Sequence, residues 1–184
     1  MRPMKTVPRA RKPSSKARRK RRRATLKLAV NGAAPTLVCA QADGVEALAL
    51  AQARALGLAH AGFVPSGTRN PGETFEATPT RHPAQALKWN TRFADATVVL
   101  TADAVLHGRA RLAVAWCRRY RKPWLHLYPA AFDEQALRVW LRTRPLRSLH
   151  ICGARAHQQV ERLEALLDVL LRALTAVERP VRCG

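Results

Sequence analysis

The sequence lacks several patterns that mark common protein classes. Its four cysteines, Cys39, Cys117, Cys152 and Cys183, form no CxxC pair, which argues against a zinc site or a disulfide framework and favours a reducing compartment. No apolar run approaches the roughly 20 residues that cross a bilayer, and no secretory signal follows the basic start. We therefore expect a cytoplasmic protein without a transmembrane segment.

Signatures of catalysis and of the common nucleotide folds are also missing. The chain has no GxGxxG, no GxxxxGK[ST], no HExxH and no GxSxG. Its acids are few and scattered, and among its six histidines only His107, beside a glycine, is a candidate site residue. These absences favour a binding protein over an enzyme, although they leave the question of activity open.

Positive charge is what the sequence has in excess. It contains 33 Lys and Arg against 12 Asp and Glu, and residues 1–27 hold 13 of the bases and no acid. Such a segment cannot bury apolar surface, so we expect residues 1–34 to form a disordered basic tail. The tail would bind a polyanion such as nucleic acid without sequence specificity, because it has no aromatic residue for base stacking. The alternative is an appended start with no specific role.

From residue 35 onward, short β-branched runs alternate with segments of helical period, a pattern typical of βαβ units. We predict five strands, at residues 36–40, 62–64, 96–100, 124–128 and 148–152, and a long loop over 65–83. The predicted fold is α/β, a three-layer, Rossmann-like, doubly wound domain with a mainly parallel five-stranded sheet over residues 35–178, followed by a short tail, 179–184.

Three helices of this domain carry specific expectations. Leu112, Trp116 and Tyr120 recur at helical spacing and predict an apolar stripe, with Trp116 in the core. Asp133 is placed to cap the next helix. The last helix has one leucine-rich face between Val160 and Val177.

In a doubly wound sheet, ligands bind outside the carboxyl ends of the strands. Four glycine-containing loops fall there, at residues 40–44, 65–72, 101–111 and 153–155. Helix N-termini after three of them would suit a phosphate, and Arg69, Arg109 and Arg155 could supply donors to its oxygens. Gln41 and Asp43 could bind a ligand or cap a helix, and the sequence does not decide between these two interpretations.

One family matches this order of segments. Residues 62–69 fit a Gly-x-x-Pro-x-Gly-x-Arg loop, residues 89–95 fit a Trp-Asn segment that ends in Asp95, and residues 107–109 stand where the family has Gly-Gly-Thr. Over about three quarters of its length the chain resembles the putative molybdenum carrier family, circularly permuted relatives of the YpsA-like SLOG group and kin of the LOG-type Rossmann proteins. The two glycines that open the family's first loop are replaced by Cys39 and Ala40.

The resemblance implies a Rossmann-like domain that binds a phosphate-bearing ligand, either a nucleotide or the pterin of the molybdenum cofactor. Gly108 would allow close backbone approach, the arginines would bind phosphate oxygens, and Gln41 and Asn90 would orient the ligand. The expected binding residues, from topology and resemblance together, are Gln41, Asp43, Gly44, Pro65, Gly67, Arg69, Asn90, Thr101, Gly108, Arg109, Gly153 and Arg155.

The leading hypothesis is thus a carrier or sensor of a phosphate-bearing small molecule. One alternative is a nucleic-acid-associated accessory protein that binds through residues 1–27 and whose domain is a degenerate scaffold. Another is a nucleotide-processing hydrolase of the LOG type, acting through Asp43 or Glu46. Self-association into a homo-oligomer is left open.

Overall fold

The structure is a computed structural model that describes residues 34–40, 43–153 and 160–176. The two expected tails therefore lie outside the described residues, apart from Ala34. Gln41 and Arg155 lie outside them as well. None of the described helices is long and apolar enough to cross a membrane.

The described chain is an alternation of strands and helices around one sheet. The strands are β1 (Thr36–Val38), β2 (His60–Val64), β3 (Phe75–Ala77), β4 (Ala96–Leu100), β5 (Trp124–Leu127) and β6 (Ser148–Gly153). The helices are α1 (Val45–Ala55), α2 (Pro83–Phe93), α3 (Gly108–Tyr120), α4 (Glu134–Arg142) and α5 (Val160–Thr175), with a 3-10 turn at Pro129–Ala131.

All strand pairs of the sheet are parallel, and the strand order is β3-β2-β1-β6-β4-β5. The predicted Rossmann-like α/β architecture is confirmed, with a sheet of six strands and not five. The additional strand, β3, falls within the segment that we predicted as a loop. Its register pairs Gly62 with Phe75 and Val64 with Ala77, so β2 provides its hydrogen-bonding partner.

Helices cover both faces of the sheet. One layer, which we call the apolar layer, consists of α1, α4 and α5 and packs on the larger hydrophobic cluster. The expected leucine face of α5 is confirmed there, because six of its leucines are at most 6% exposed: Leu163, Leu166, Leu167, Leu170, Leu171 and Leu174.

The opposite layer consists of α2 and α3 and covers a smaller cluster. The prediction that Trp116 lies in the core, on an apolar stripe of α3, is wrong. The buried side chains of α3 are the small ones, Ala110, Ala113, Val114 and Cys117, whereas Trp116 is only half-buried. Small side chains let the helix approach the sheet closely, and the large rings are left on the side of α3 that contacts α2.

Candidate functional site

The carboxyl ends of all six parallel strands meet at one edge of the sheet. β6 lies between β1 and β4, the two strands from which the chain continues in opposite directions along the sheet. This is the point where strand order reverses and where ligands bind in such folds. We call it the central edge, formed by the ends of β1, β6 and β4 and by the first turns of α1 and α3.

Glycines allow the elements of the central edge to meet. A Cβ on Gly153 would overlap the carbonyl oxygen of Leu100 and would lie 2.9 Å from Cγ2 of Val45. Gly153 is therefore the residue that lets β6 end directly between β4 and α1. Gly44 precedes α1 with φ 81°, a conformation that L side chains rarely adopt.

Within the described residues, no side chain caps the first turn of α1 or of α3. Gly44 precedes α1, and His107 precedes α3 without accepting a hydrogen bond through its ring. The outer helices differ, since His82 Nδ1 accepts from the N–H of Ala84 in α2 and Asp133 Oδ1 accepts from Ala136 N–H in α4. The expected cap at Asp133 is thereby confirmed. Uncapped N–H groups and the positive end of the helix dipole favour anions.

An ion pair crosses the central edge from one helical layer to the other. Nη2 of Arg109, in the first turn of α3, donates to Oε1 of Glu46, in the first turn of α1, over 2.6 Å. The Glu46 side chain is 3% exposed, and the Arg109 side chain is 22% exposed. Among the described residues, Oε2 of Glu46 has no hydrogen-bond partner.

Burial raises the pKa of Glu46 to about 7, and the neighbouring Arg109 opposes this rise only in part. Near neutral pH the carboxyl group is therefore divided between its charged and neutral forms. When it is protonated, it can donate a hydrogen bond and it no longer neutralises Arg109. Protonation of Glu46 therefore makes the net charge of the site more positive, which favours the binding of an anion.

Buried thiols and an imidazole surround this pair without providing a nucleophile. Burial, followed by the charge of Glu46, raises the pKa values of Cys39 and Cys152 well above the ordinary value. Burial and then Arg109 lower the pKa of His150 to about 3, so that imidazole is neutral. Protonated thiols are poor nucleophiles.

The structure brings Gly44, Thr101, Gly108, Arg109 and Gly153 to the central edge. Thr101 is 4% exposed, and its hydroxyl contacts the carbonyl oxygen of Asp103 at 2.6 Å and His126 Nε2 at 2.5 Å. A Cβ on Gly108 would meet no atom of the described residues within 4 Å. Asp43 is exposed in the turn before α1.

A second group of expected residues lies on the loop after β2. Pro65 and Gly67 form a tight turn, in which the N–H and the hydroxyl of Thr68 both donate to the Pro65 carbonyl and Gly67 has φ 83°. Arg69 follows and is exposed. Since β2 and β4 are three strand positions apart, about 14 Å at the usual spacing, the convergence of Arg69 with Arg109 stays a prediction.

Asn90 is buried beneath β2 and its amide is used there. Its Oδ1 accepts from Phe63 N–H at 2.7 Å, and its Nδ2 donates to the Phe63 carbonyl at 3.1 Å. In this structure it braces the strand.

Glu46 was missing from the predicted set of binding residues. The sequence did contain a signal for its pairing with Arg109, because Glu46 follows Gly44 by two residues and Arg109 follows His107 by two residues, at the starts of two predicted helices.

No group of three or more His, Cys, Asp or Glu side chains that could hold a metal ion occurs within residues 34–40, 43–153 and 160–176. This result concerns only ions that would be held directly by three or more protein side chains.

Comparisons with known proteins agree with the fold. The crystal structure of a putative molybdenum carrier protein from Syntrophus aciditrophicus SB superposes with a TM-score of 0.67 at 24% sequence identity, covering 76% of this chain and 96% of that one. No curated protein matches. The model of the circularly permutated YpsA SLOG family matches residues 38–174. The chain therefore belongs to the circularly permutated YpsA SLOG family.

Proposed function

We propose that this protein binds a phosphate-bearing small molecule at the central edge. The observation that carries the proposal is the pair of uncapped helix starts, α1 and α3, on either side of the end of β6, with the Arg109 guanidinium beside them. Each helix start offers backbone N–H donors, and the guanidinium offers two more in a fork that fits a phosphate.

Glu46 is compatible with an anion because it is not a permanent charge. A phosphate close to Arg109 replaces the carboxylate as the partner of the guanidinium and favours the protonated form of Glu46. The neutral acid then supplies an O–H donor to a phosphate oxygen, which satisfies the atom that is otherwise unpartnered.

The residues at the central edge support binding more than nucleophilic chemistry. The described cysteines, Cys39, Cys117 and Cys152, are all buried, and burial raises the pKa of each. The role that fits is that of a carrier or sensor. The ligand class is a nucleotide or a phosphorylated pterin. The structural relative is named a putative molybdenum carrier protein, and the pterin is what the resemblance to that family implies.

Thermal unfolding of the full chain with inorganic phosphate, nucleoside monophosphates and a phosphorylated pterin tests the proposal and separates the two classes. A ligand at 100 times its Kd adds about 2.7 kcal/mol to the free energy of unfolding. Arg109→Gln should abolish the shift, because the neutral amide cannot pair with a phosphate.

Arg111→Gln is the matched control. It removes the same charge from the same helix at an exposed position two residues further on, and it should leave the ligand-induced shift unchanged. Equal shifts in both variants, or no shift of the wild type with any of these ligands, would overturn the proposal.

A further inference from the structure

The two helical layers differ in charge. α2 and α3 contain six Lys and Arg residues and no acid, whereas α1, α4 and α5 together contain five acids and five bases. On the outer surface of α2 and α3, Arg109 excepted, the cations are Lys88, Arg92, Arg111, Arg118 and Arg119, with Arg121 at the end of α3. We call this surface the basic face.

No carboxylate of the described residues forms an ion pair with the cations of the basic face. The ion pairs of the described residues are Glu46 with Arg109, Glu134 with Arg138 and Asp168 with Arg172, and none of them involves the basic face. Asp95, which follows α2, accepts instead from the N–H groups of Arg147 and Ser148. A surface with this excess of one sign attracts a polyanion.

Aromatic rings lie among these cations. The rings of Trp116 and Tyr120 are stacked, with centroids 5.9 Å apart and planes 16° apart. Nζ of Lys88 lies 5.0 Å from the Trp116 centroid, and the guanidinium carbon of Arg119 lies 5.9 Å from it. Arg92 lies 5.9 Å from the Tyr120 centroid.

The indole nitrogen of Trp116 is buried and has no acceptor among the described residues, so it is not an exposed donor. The interactions of this ring that belong to the basic face are those with Tyr120, Lys88 and Arg119. Cations interleaved with half-buried aromatic rings are the combination that proteins use to bind single strands, through the phosphates and by stacking on bases.

From this arrangement we infer that the basic face binds the backbone of single-stranded nucleic acid without sequence specificity. A second copy of the chain is a poor occupant, because a symmetric contact would set like charges against each other. A lipid surface fits less well too. The exposed large aliphatic side chains of the described residues are Leu56, Val105 and Val139, none of them on α2 or α3.

This site is separate from the central edge and independent of the proposed small-molecule function, since it does not use Arg109 or Glu46. It also differs from binding through the N-terminal segment. The basic residues of 1–27 contribute to any polyanion affinity, but the inference concerns the folded surface alone.

The test compares two variants of the full chain that lose the same charge. Lys88→Gln/Arg92→Gln/Arg119→Gln removes three of the six cations of the basic face. Arg54→Gln/Arg142→Gln/Arg162→Gln removes three exposed arginines of the apolar layer. Binding of a fluorescent single-stranded oligonucleotide is followed by anisotropy across a salt series. Each phosphate contact contributes about 0.7 to the slope of log Kobs against log salt.

We expect the basic-face variant to bind about tenfold more weakly or worse, and its salt slope to fall by about 2. The control variant should stay close to wild type. Arg92→Gln/Arg118→Gln, at two exposed positions, serves as a second basic-face variant if the first does not fold. Equal losses in the basic-face and control variants would overturn the inference, as would binding to phosphatidylserine vesicles that exceeds binding to the oligonucleotide.

Discussion

The two helical layers that cover this sheet differ in the side chains that they bury and in their surface charge. The apolar layer buries long leucine side chains and carries balanced charges, so its contacts are those that stabilise a fold. The α2 and α3 layer rests on a smaller cluster and buries polar groups, among them Asn90, Thr91 and His150. Its outer surface is cationic.

The contrast indicates that stability and recognition are divided between the layers. Burial of aliphatic side chains stabilises regardless of what the protein binds, whereas uncompensated cations repel one another and attract anions. The ion pair between Glu46 and Arg109 is where the two layers meet, at the edge that we propose for ligand binding.

The largest effect should come from the interior of the apolar layer. Leu170 on α5 is fully buried in the larger cluster, and Leu170→Ala should lower the free energy of unfolding by about 4 kcal/mol, measured by urea denaturation. Leu56→Ala, at a position that is 44% exposed, should stay within about 0.5 kcal/mol of wild type. Similar losses in the two variants would contradict the assignment of stability to this buried face.

Glu46 tests how the layers are joined, through the pH dependence of stability. Its folded pKa of about 7 exceeds the value of 4.5 that applies when it is exposed, so the folded chain holds an extra proton between these values. The free energy of unfolding should therefore fall as pH rises from about 4.5 to 7 and level off above, by up to roughly 3 kcal/mol from this group.

In Glu46→Gln this component of the pH profile should disappear, which comparing urea denaturation of variant and wild type from pH 4.5 to 8.5 will show. Glu164→Gln, on the outer part of α5, should leave the profile as in wild type. A Glu46→Gln profile parallel to that of wild type would mean that Glu46 is not buried at the central edge.

Asn90 tests the polar interior of the α2 and α3 layer. Asn90→Ala leaves the N–H and the carbonyl of Phe63 without their partner in a buried position, which should cost about 2 kcal/mol of unfolding free energy. Gln135→Ala removes an exposed amide from α4 and should have little effect. If Asn90→Ala proved as mild as this control, Asn90 would not brace β2.

Much of the fold could be read from the sequence because its signals are local. Alternation of β-branched runs with helical period predicted five of the six strands, and the leucine spacing of α5 predicted its buried face. β3 was missed because it has three residues, lies at the sheet edge and buries only Phe75 well. Nothing local distinguishes such a strand from a loop; its pairing with β2 does.

The candidate site was predictable as a place but not as a set of contacts. Topology placed the glycine loops at one edge, since the ends of parallel strands meet there. The pairing of Glu46 with Arg109 joins residues 63 positions apart, and Asn90 reaches Phe63 across 27. Such contacts depend on how helices pack over the sheet, which periodicity does not specify. The prediction that the Trp116 side of α3 faces the core was wrong for the same reason.

The smallest effect concerns the difference between capped and uncapped helix starts. Asp133→Ala should cost about 1 kcal/mol, because the N–H of Ala136 loses its acceptor, whereas Asp133→Asn should keep most of the stability. Chemical denaturation measures both. Asp133→Ala should nevertheless retain the full ligand-induced shift in thermal unfolding, and Arg109→Gln should lose that shift. If the start of α4 also bound the ligand, Asp133→Ala would lose both stability and the ligand-induced shift. That result would contradict the distinction between capped outer helices and uncapped central helices.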